Sequence, residues 1–526
     1  MRTILSLLST TVVFLTSASA FSQEVLPFGA GFSVARMSDV NNDGFPDYVS
    51  GDSKSGRVCS GLDGTVLRQF FLSSGGIFFN GTETSCAPIG DIDHDGVEDV
   101  ALSMPGDHYK YYDPGWVMAF STQIGVKLWQ KTGSTSIGSI DAWFGRRMIA
   151  IGDTTGDGIP ELLVGSAYGV EILNGTTGAP LGYTTESMSY PEIAAVGDVT
   201  NDGVPDVLVG LKDAAGTGLA RILDGRTLAV VLTIAGDVSG ALLGTSVAAA
   251  GDIDLDGRLD ILTGAPGADL AGTNAGTVYV VSSALGTTLS RIHGWWPGDR
   301  LGASCAAVGD LDQDGFPEIA AGTSSSPTNH QGYVLLNSSN PAIGKHLVFI
   351  DNTSYFNGAR LTPLGDINLD GKIELAVSSQ GLKFVNFAPG VLTYSFGTSG
   401  CHGGHLIDVN KRPSIGTSDF EIRCNQTPND GIPLLLVSDT ADIAGTDLFN
   451  IGILMHVGIT GNFLAGYDMT TLDNGRATVT IPIPFEPQLI GTRLYAQAIL
   501  PWYNNPCFPS TLGLSSSAGL ALIIQP

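Results

Sequence analysis

The sequence predicts an all-β fold built by repetition. Three observations carry that prediction: a glycine-rich, charge-poor composition, apolar runs of strand length, and one acidic nine-residue pattern written seven times. Of 526 residues, 70 are Gly, 43% are hydrophobic and only 14% are charged. Such a chain has enough apolar surface to fold, and its Gly content favours turns over long helices. Acidic residues outnumber basic ones 51 to 25, for a formal charge of -26. This argues against nucleic acid, whose binding needs clustered Lys and Arg to displace counterions, and against an anionic membrane surface.

Residues 1-20 read as a secretory leader. Arg2 supplies the basic end, Ile4 to Leu15 the apolar core, and Ala18, Ser19 and Ala20 the small-residue cleavage site, so the mature chain is expected to start at Phe21. No later stretch has the ~18 to 20 uninterrupted apolar residues of a membrane span. The expected product is exported and soluble, without a transmembrane anchor. Six cysteines in an exported chain allow disulfides. Cys59 and Cys86 could pair, yet Cys86 and Cys305 occupy matching places in two repeats, as Ser85-Cys86-Ala87 and Ser304-Cys305-Ala306, which favours small buried strand residues. Cys401, Cys424 and Cys507 would leave one pair and one thiol.

The repeat puts oxygen-bearing residues at positions 1, 3, 5 and 9 around a Gly at position 6. In order, the sets are Asp39, Asn41, Asp43, Asp47; Asp91, Asp93, Asp95, Asp99; Asp153, Thr155, Asp157, Glu161; and Asp198, Thr200, Asp202, Asp206. The last three are Asp252, Asp254, Asp256, Asp260; Asp310, Asp312, Asp314, Glu318; and Asp366, Asn368, Asp370, Glu374. Oxygens at alternate positions converge inside a tight turn, Gly allows the bend, a carbonyl at position 7 can join, and position 9 closes a cage for a hard cation. Calcium fits best, because it accepts six to eight oxygens in flexible geometry. The loop is shorter than an EF-hand and no helical periodicity flanks it. A single copy could be a solvated Asx turn. Seven copies in register, each with Asp or Glu at position 9, point to up to seven calcium sites. The second, fifth and sixth, with four carboxylates each, are expected to bind most strongly, and the third and fourth, with Thr at position 3, less so.

Around each loop the pattern is β. Short apolar runs such as Ser246 to Ala250 and Ala303 to Val308 lead in, and runs from Val207, Ile261 and Ile319 lead out, as strands buried on both faces do. Further on, Asp63-Gly64, Asn174-Gly175 and Asp224-Gly225 are hairpin turn signals. Each period thus holds about four strands, the size of one propeller blade. Loop starts lie 52, 62, 45, 54, 58 and 56 residues apart.

These residues resemble the FG-GAP repeats of the integrin alpha-chain propeller and its bacterial relatives. Phe144-Gly145, Leu243-Gly244 and Leu301-Gly302 precede the third, fifth and sixth loops, and Gly264-Ala265-Pro266 follows the fifth. Elsewhere the dipeptides are degraded, as at Ser103-Met104-Pro105 and Gly165-Ser166-Ala167. The resemblance covers residues 25-398 and implies a seven-bladed β-propeller whose calcium loops join the first two strands of a blade. The spacing leaves no room for an inserted ligand-binding domain. The segment from His108 to Tyr112 would form an aromatic surface loop, and Trp295-Trp296-Pro297 a packing or surface feature.

From residue 399 the acidic pattern stops. Residues 399-526 carry short apolar segments punctuated by Pro, Asp and Gly, consistent with a C-terminal β-sandwich-like domain. The histidines are scattered, with neither a His-Glu-x-x-His nor a Gly-x-Ser-x-Gly motif. Cys401, His402 and His405 form the densest group, which reads as a joint rather than a zinc site. Two functions follow: a non-catalytic extracellular module whose loops recognise protein or glycan, and, as the alternative, an exported calcium-dependent carbohydrate-active enzyme such as a polysaccharide lyase. A lyase needs a cationic or Tyr base beside the metal, and the sparse basic residues favour the binding module. The loops account for 24 of the 51 acids, so seven calcium ions would bring -26 to -12.

Overall fold

A computed structural model describes residues 31–525 except 53–54, 73–76, 79–83, 106, 109–113, 134–142, 185–190, 212–215, 237, 295–296, 311–315, 325–332, 337–344, 349–359, 370–372, 379–381, 388–390, 395–406, 426, 428–431, 448–454, 459–463, 473–475, 502–513 and 518. The leader, the aromatic side chains after Asp107, Trp295, Trp296, Cys401, His402, His405 and Cys507 lie outside the described residues or side chains. Among the described residues no helix is long and apolar enough to cross a membrane.

Six four-stranded antiparallel sheets and one three-stranded sheet succeed one another from Gly31 to Phe387. Their inner strands are Gly31–Arg36, Cys86–Pro88, Arg147–Ala150, Glu192–Gly197, Ser246–Gly251, Ser304–Gly309 and Arg360–Gly365. Each inner strand touches the next, and the seventh touches the first, so the sheets close a ring. This is a seven-bladed β-propeller. Arg36 Nη1 donates to the Leu364 carbonyl at 2.9 Å across the closure, where Val34, Tyr48 and Cys59 bury against Leu364, Ile367 and Ala376.

The apolar core is distributed between blades rather than central. Val49, Val58 and Phe70 of the first blade pack on Cys86, Val100 and Leu102 of the second, and Leu208 and Ile222 of the fourth on Ile261 and Val281 of the fifth. This is why the second strands read as unbroken apolar runs: in Asp206–Leu211 and Asp260–Ala265 every residue is buried, because each strand faces a neighbouring blade on both sides. The outer strands, with one open face, alternate instead, as Val230–Ala235 does.

The expected hairpins are present, with Gly64 left-handed in its turn and the other two glycines in a different role. The turns after the third strands are longer than two residues, and the left-handed residue is Gly64, Gly178 or Leu228, near the far end of the turn. Gly175 and Gly225 are needed for proximity: a Cβ there would sit 2.1 Å from the Pro160 carbonyl oxygen and 1.7 Å from that of Pro205.

Two further sheets, one of six strands and one of four, share a single core that includes Ile407, Phe420, Ile422, Leu435, Ala498 and Leu520. Their facing arrangement is that of a β-sandwich. Val391–Tyr394, which precedes residue 399, hydrogen-bonds to Gly519–Ile523 in the larger of these sheets, with Val391 opposite Leu522. The seventh blade correspondingly shows three strands among the described residues.

No disulfide joins Cys59 to Cys86. Both are buried thiols, as is Cys305, and burial pushes Cys59 and Cys86 up to about 11 and Cys305 to about 12. The matching places of Cys86 and Cys305 are seen directly: Cys86 Sγ lies 3.5 Å from Ser33 Oγ and Cys305 Sγ 3.3 Å from Ser246 Oγ, each serine on the preceding blade. Cys424 is buried in the sandwich core, its thiol pushed up to about 12.

Candidate metal centre

Each acidic loop connects the inner strand to the second strand of its blade. The turn is built by its own carboxylates. At position 1, Asp39, Asp91, Asp198 and Asp252 each accept the N–H of position 5 on one oxygen and that of Gly at position 6 on the other, at 2.8 to 3.1 Å. At position 5, Asp43, Asp95, Asp157, Asp202 and Asp256 accept the N–H of position 7 at 2.9 Å. The chain is left-handed twice, at Gly in position 6 and two residues earlier at position 4, where Asn42, His94, Asn201, Leu255 and Leu369 have φ between 52° and 61°. The sequence reading found the first bend and missed the second, because Gly fills it in the third loop, as Gly156, while the five loops named carry other residues there.

Position 9 differs from the others. Asp47, Asp99, Glu161, Asp206, Asp260 and Glu318 are fully buried and Glu374 nearly so. One oxygen accepts the N–H of position 2, from Val40, Ile92, Val199, Ile253 or Ile367, at 2.8 to 3.0 Å. The other oxygen accepts an N–H from the hairpin after the third strand, from Gly61, Thr122, Gly225 or Ser283, at 3.0 to 3.1 Å. That carboxylate therefore ties loop to hairpin. Burial raises Asp47, Asp99, Asp206 and Asp260, and Asp99 reaches about 6, with Asp93 and Asp95 adding to the shift. Asp153, by contrast, is held low by the Gly158 and Gly156 N–H groups, and in Asp198 the N–H groups of Gly203 and Asp202 outweigh the effect of burial.

Among the described residues, carboxylate oxygens converge to within 4.8 Å in three loops: Asp91, Asp93 and Asp99; Asp153, Asp157 and Glu161; Asp252, Asp254 and Asp260. The second and fifth loops, expected to bind most strongly, are among these, and the carboxylates of the third converge in the same way. Its Glu161 is one methylene longer than Asp, and Thr155 Oγ1 donates to Glu161 Oε1 at 3.3 Å, so a longer acid offsets the neutral residue at position 3. In the fourth loop Thr200 Oγ1 lies 3.4 Å from Asp198 Oδ1, and in the first Asn41 Nδ2 donates to Asp43 Oδ2 at 2.8 Å. Asp312, Asp314 and Asp370 lie outside the described residues. The donors are oxygen only, several are buried beside other carboxylates, and a hard cation would relieve that repulsion.

Hairpin side chains complete the surroundings. Ser60 Oγ, Ser121 Oγ and Asn174 Nδ2 each reach the position-5 carboxylate of their own blade at 3.4 Å. Sequence reasoning missed them because they follow position 9 by 13, 22 and 13 residues, so no fixed offset marks them.

The blade junctions explain the glycines around these loops. Leu243 and Leu301 are buried, and the glycines after them, Gly244 and Gly302, are left-handed. A Cβ on Gly210 would lie 2.1 Å from the Gly244 carbonyl oxygen, and one on Gly264 would lie 2.0 Å from that of Gly302, on the next blade in each case. A family model of the FG-GAP repeat matches residues 243–281 and 306–336. The chain carries FG-GAP repeats. Both matched segments end on the last residue of a third strand, at Val281 and Leu336. The chain is similar to integrin alpha-V of Gallus gallus, 32% identical over 135 residues, or 24% of this chain and 13% of that protein. It is similar also to integrin alpha-5 of Xenopus laevis, 33% identical over 132 residues, or 24% of this chain and 12% of that protein. The match thus covers about an eighth of the length of these relatives.

Proposed function

We propose that this chain is an exported, calcium-loaded FG-GAP propeller, its described blades running from Gly31 to Phe387, that acts outside the cell as a non-catalytic module binding a protein or glycan, with an appended β-sandwich domain that takes in Val391–Tyr394 and the strands after residue 399. The observation that carries the reading is the convergence of carboxylates in the loops, each closed by a buried acid at position 9. Calcium suits the set because it takes six to eight oxygens without a strict octahedron. Positions 1 and 5 shape the turn through their own hydrogen bonds, and the cation would add cohesion between loop and hairpin.

Calcium bound per mole of the mature chain is the test. Several equivalents are expected, with Asp254→Ala removing one and a His402 substitution removing none. A chain that takes up no calcium at millimolar concentration sinks the reading. Arrays of extracellular matrix proteins and glycans, probed with and without EGTA, then read out the ligand class.

A further inference from the structure

Six residues before the first Asp of each acidic loop, the inner strands carry Ser33, Ser85, Arg147, Glu192, Ser246, Ser304 and Arg360. All seven line one cavity of about 600 Å³ on the propeller axis. They form a single ring, one residue from each blade, and six residues of strand, about 20 Å, separate it from the acidic loops. The next ring inward is apolar, with Ala35, Ala87 and Ile149 among its members.

The ring is not charge-neutral. Glu192 is its one acid against two guanidinium groups, and both use the same oxygen: Arg147 Nε reaches Glu192 Oε2 at 2.7 Å, and Arg360 Nη2 reaches it at 3.4 Å. Arg360 stands on the seventh blade and Glu192 on the fourth, so this contact spans the channel. Burial opposes the Glu192 charge, yet Arg147, Arg360 and Arg146 hold its carboxyl below the usual range. In a chain of charge -26, the mouth of the channel is a local cationic site.

We propose that this ring binds the carboxylate of a small organic acid, whose body enters the channel. Arg360 and Arg147 carry guanidinium N–H groups suited to a carboxylate, and the serines around them, three of which hydrogen-bond the neighbouring blade, give the rim a polar edge. The cavity volume falls within the range of ligand pockets. The body of the acid is either polyhydroxylated or aliphatic. The first would use the serine rim and the second the apolar ring beneath it.

Calorimetric titration of the calcium-loaded chain with D-galacturonate and with hexanoate distinguishes the two, with galactose and hexanol as neutral counterparts. At least one acid is expected to bind while its neutral counterpart does not, with affinity falling as NaCl is raised. Glu192→Gln removes the internal competitor and should tighten binding about tenfold; Arg360→Gln should weaken it about tenfold. Ser304→Asp, which adds a negative charge to the rim without touching the ion pair, should weaken it too, and circular dichroism checks that each variant is folded. Binding of neither acid, equal binding of acid and neutral counterpart, or an affinity indifferent to all three substitutions would overturn the proposal.

Discussion

The seven-blade ring and the two-sheet C-terminal unit are both antiparallel β, yet they are held together differently. In the ring, apolar clusters straddle neighbouring blades, and buried acids stitch each loop to its hairpin. In the C-terminal unit one apolar core lies between two sheets, with Ile422, Cys424, Ala496 and Leu520 among its fully buried members. The ring thus distributes its cohesion over apolar junctions and over loops that carry buried carboxylates, while the sandwich concentrates it in one apolar core. A solvent condition that acts on charge should therefore separate the two.

Chelation is the strongest way to test that contrast. Each bound calcium contributes about 2.7 kcal/mol at a hundredfold excess over its Kd. Several sites acting together should therefore lower the propeller transition in EGTA by on the order of 10 °C or more. Calorimetry should show the sandwich transition unmoved, and a common shift of both would break the contrast.

Gly264→Ala attacks a blade junction without touching a charge. The added Cβ would stand 2.0 Å from the Gly302 carbonyl oxygen, and overpacking of this kind costs about 3 kcal/mol. Gly96→Ala is the comparison, since Gly96 is left-handed but a Cβ there meets nothing within 4 Å; it should cost about 1 kcal/mol. Equal denaturation midpoints for the two variants would remove the junction from the account.

Acidity gives a smaller effect with a definite sign. Burial raises Asp99 from 3.8 to about 6 and raises Asp47, Asp206 and Asp260 in the same direction. A raised carboxyl contributes stability that is fully present below its unfolded value and lost as pH rises through the folded one. Metal-free propeller should consequently melt higher at pH 5 than at pH 7.5, and calcium should invert the order because protons compete for the same oxygens. Asp153 and Asp198, shifted downward, act only below their ordinary range and leave this window alone. A metal-free melting temperature that climbs from pH 5 to 7.5 contradicts the assignment.

The smallest effect is a gain. Leu255 is left-handed with φ 59° and 71% exposed, so it pays for its conformation without packing in return. Asn tolerates that region better, and Leu255→Asn should raise propeller stability by about 1 kcal/mol in urea denaturation.

Much of this was legible in the residues. A loop whose donors lie within nine positions is a local object, so Asp91, Asp93 and Asp99 could be grouped before any fold was known, and the matching settings of Cys86 and Cys305 marked equivalent strands. The strands around Val207, Ile261 and Ile319 were equally plain, since burial on both faces leaves an unbroken apolar run. Less visible were the left-handed position 4 and the convergence of the third loop's carboxylates, which depends on the reach of Glu161.

The chain by itself determined the all-β repeat, its seven copies and the acids of each loop, because those depend on neighbours in sequence. Only the tertiary structure decided which hairpin N–H groups meet the position-9 acids, because insertions of variable length separate them. Ring closure brings Arg360 across the channel to Glu192, 168 residues away, and the C-terminal sandwich pairs Val391–Tyr394 with Gly519–Ile523. Contacts of that kind follow from where strands end up in space, and no periodicity records it.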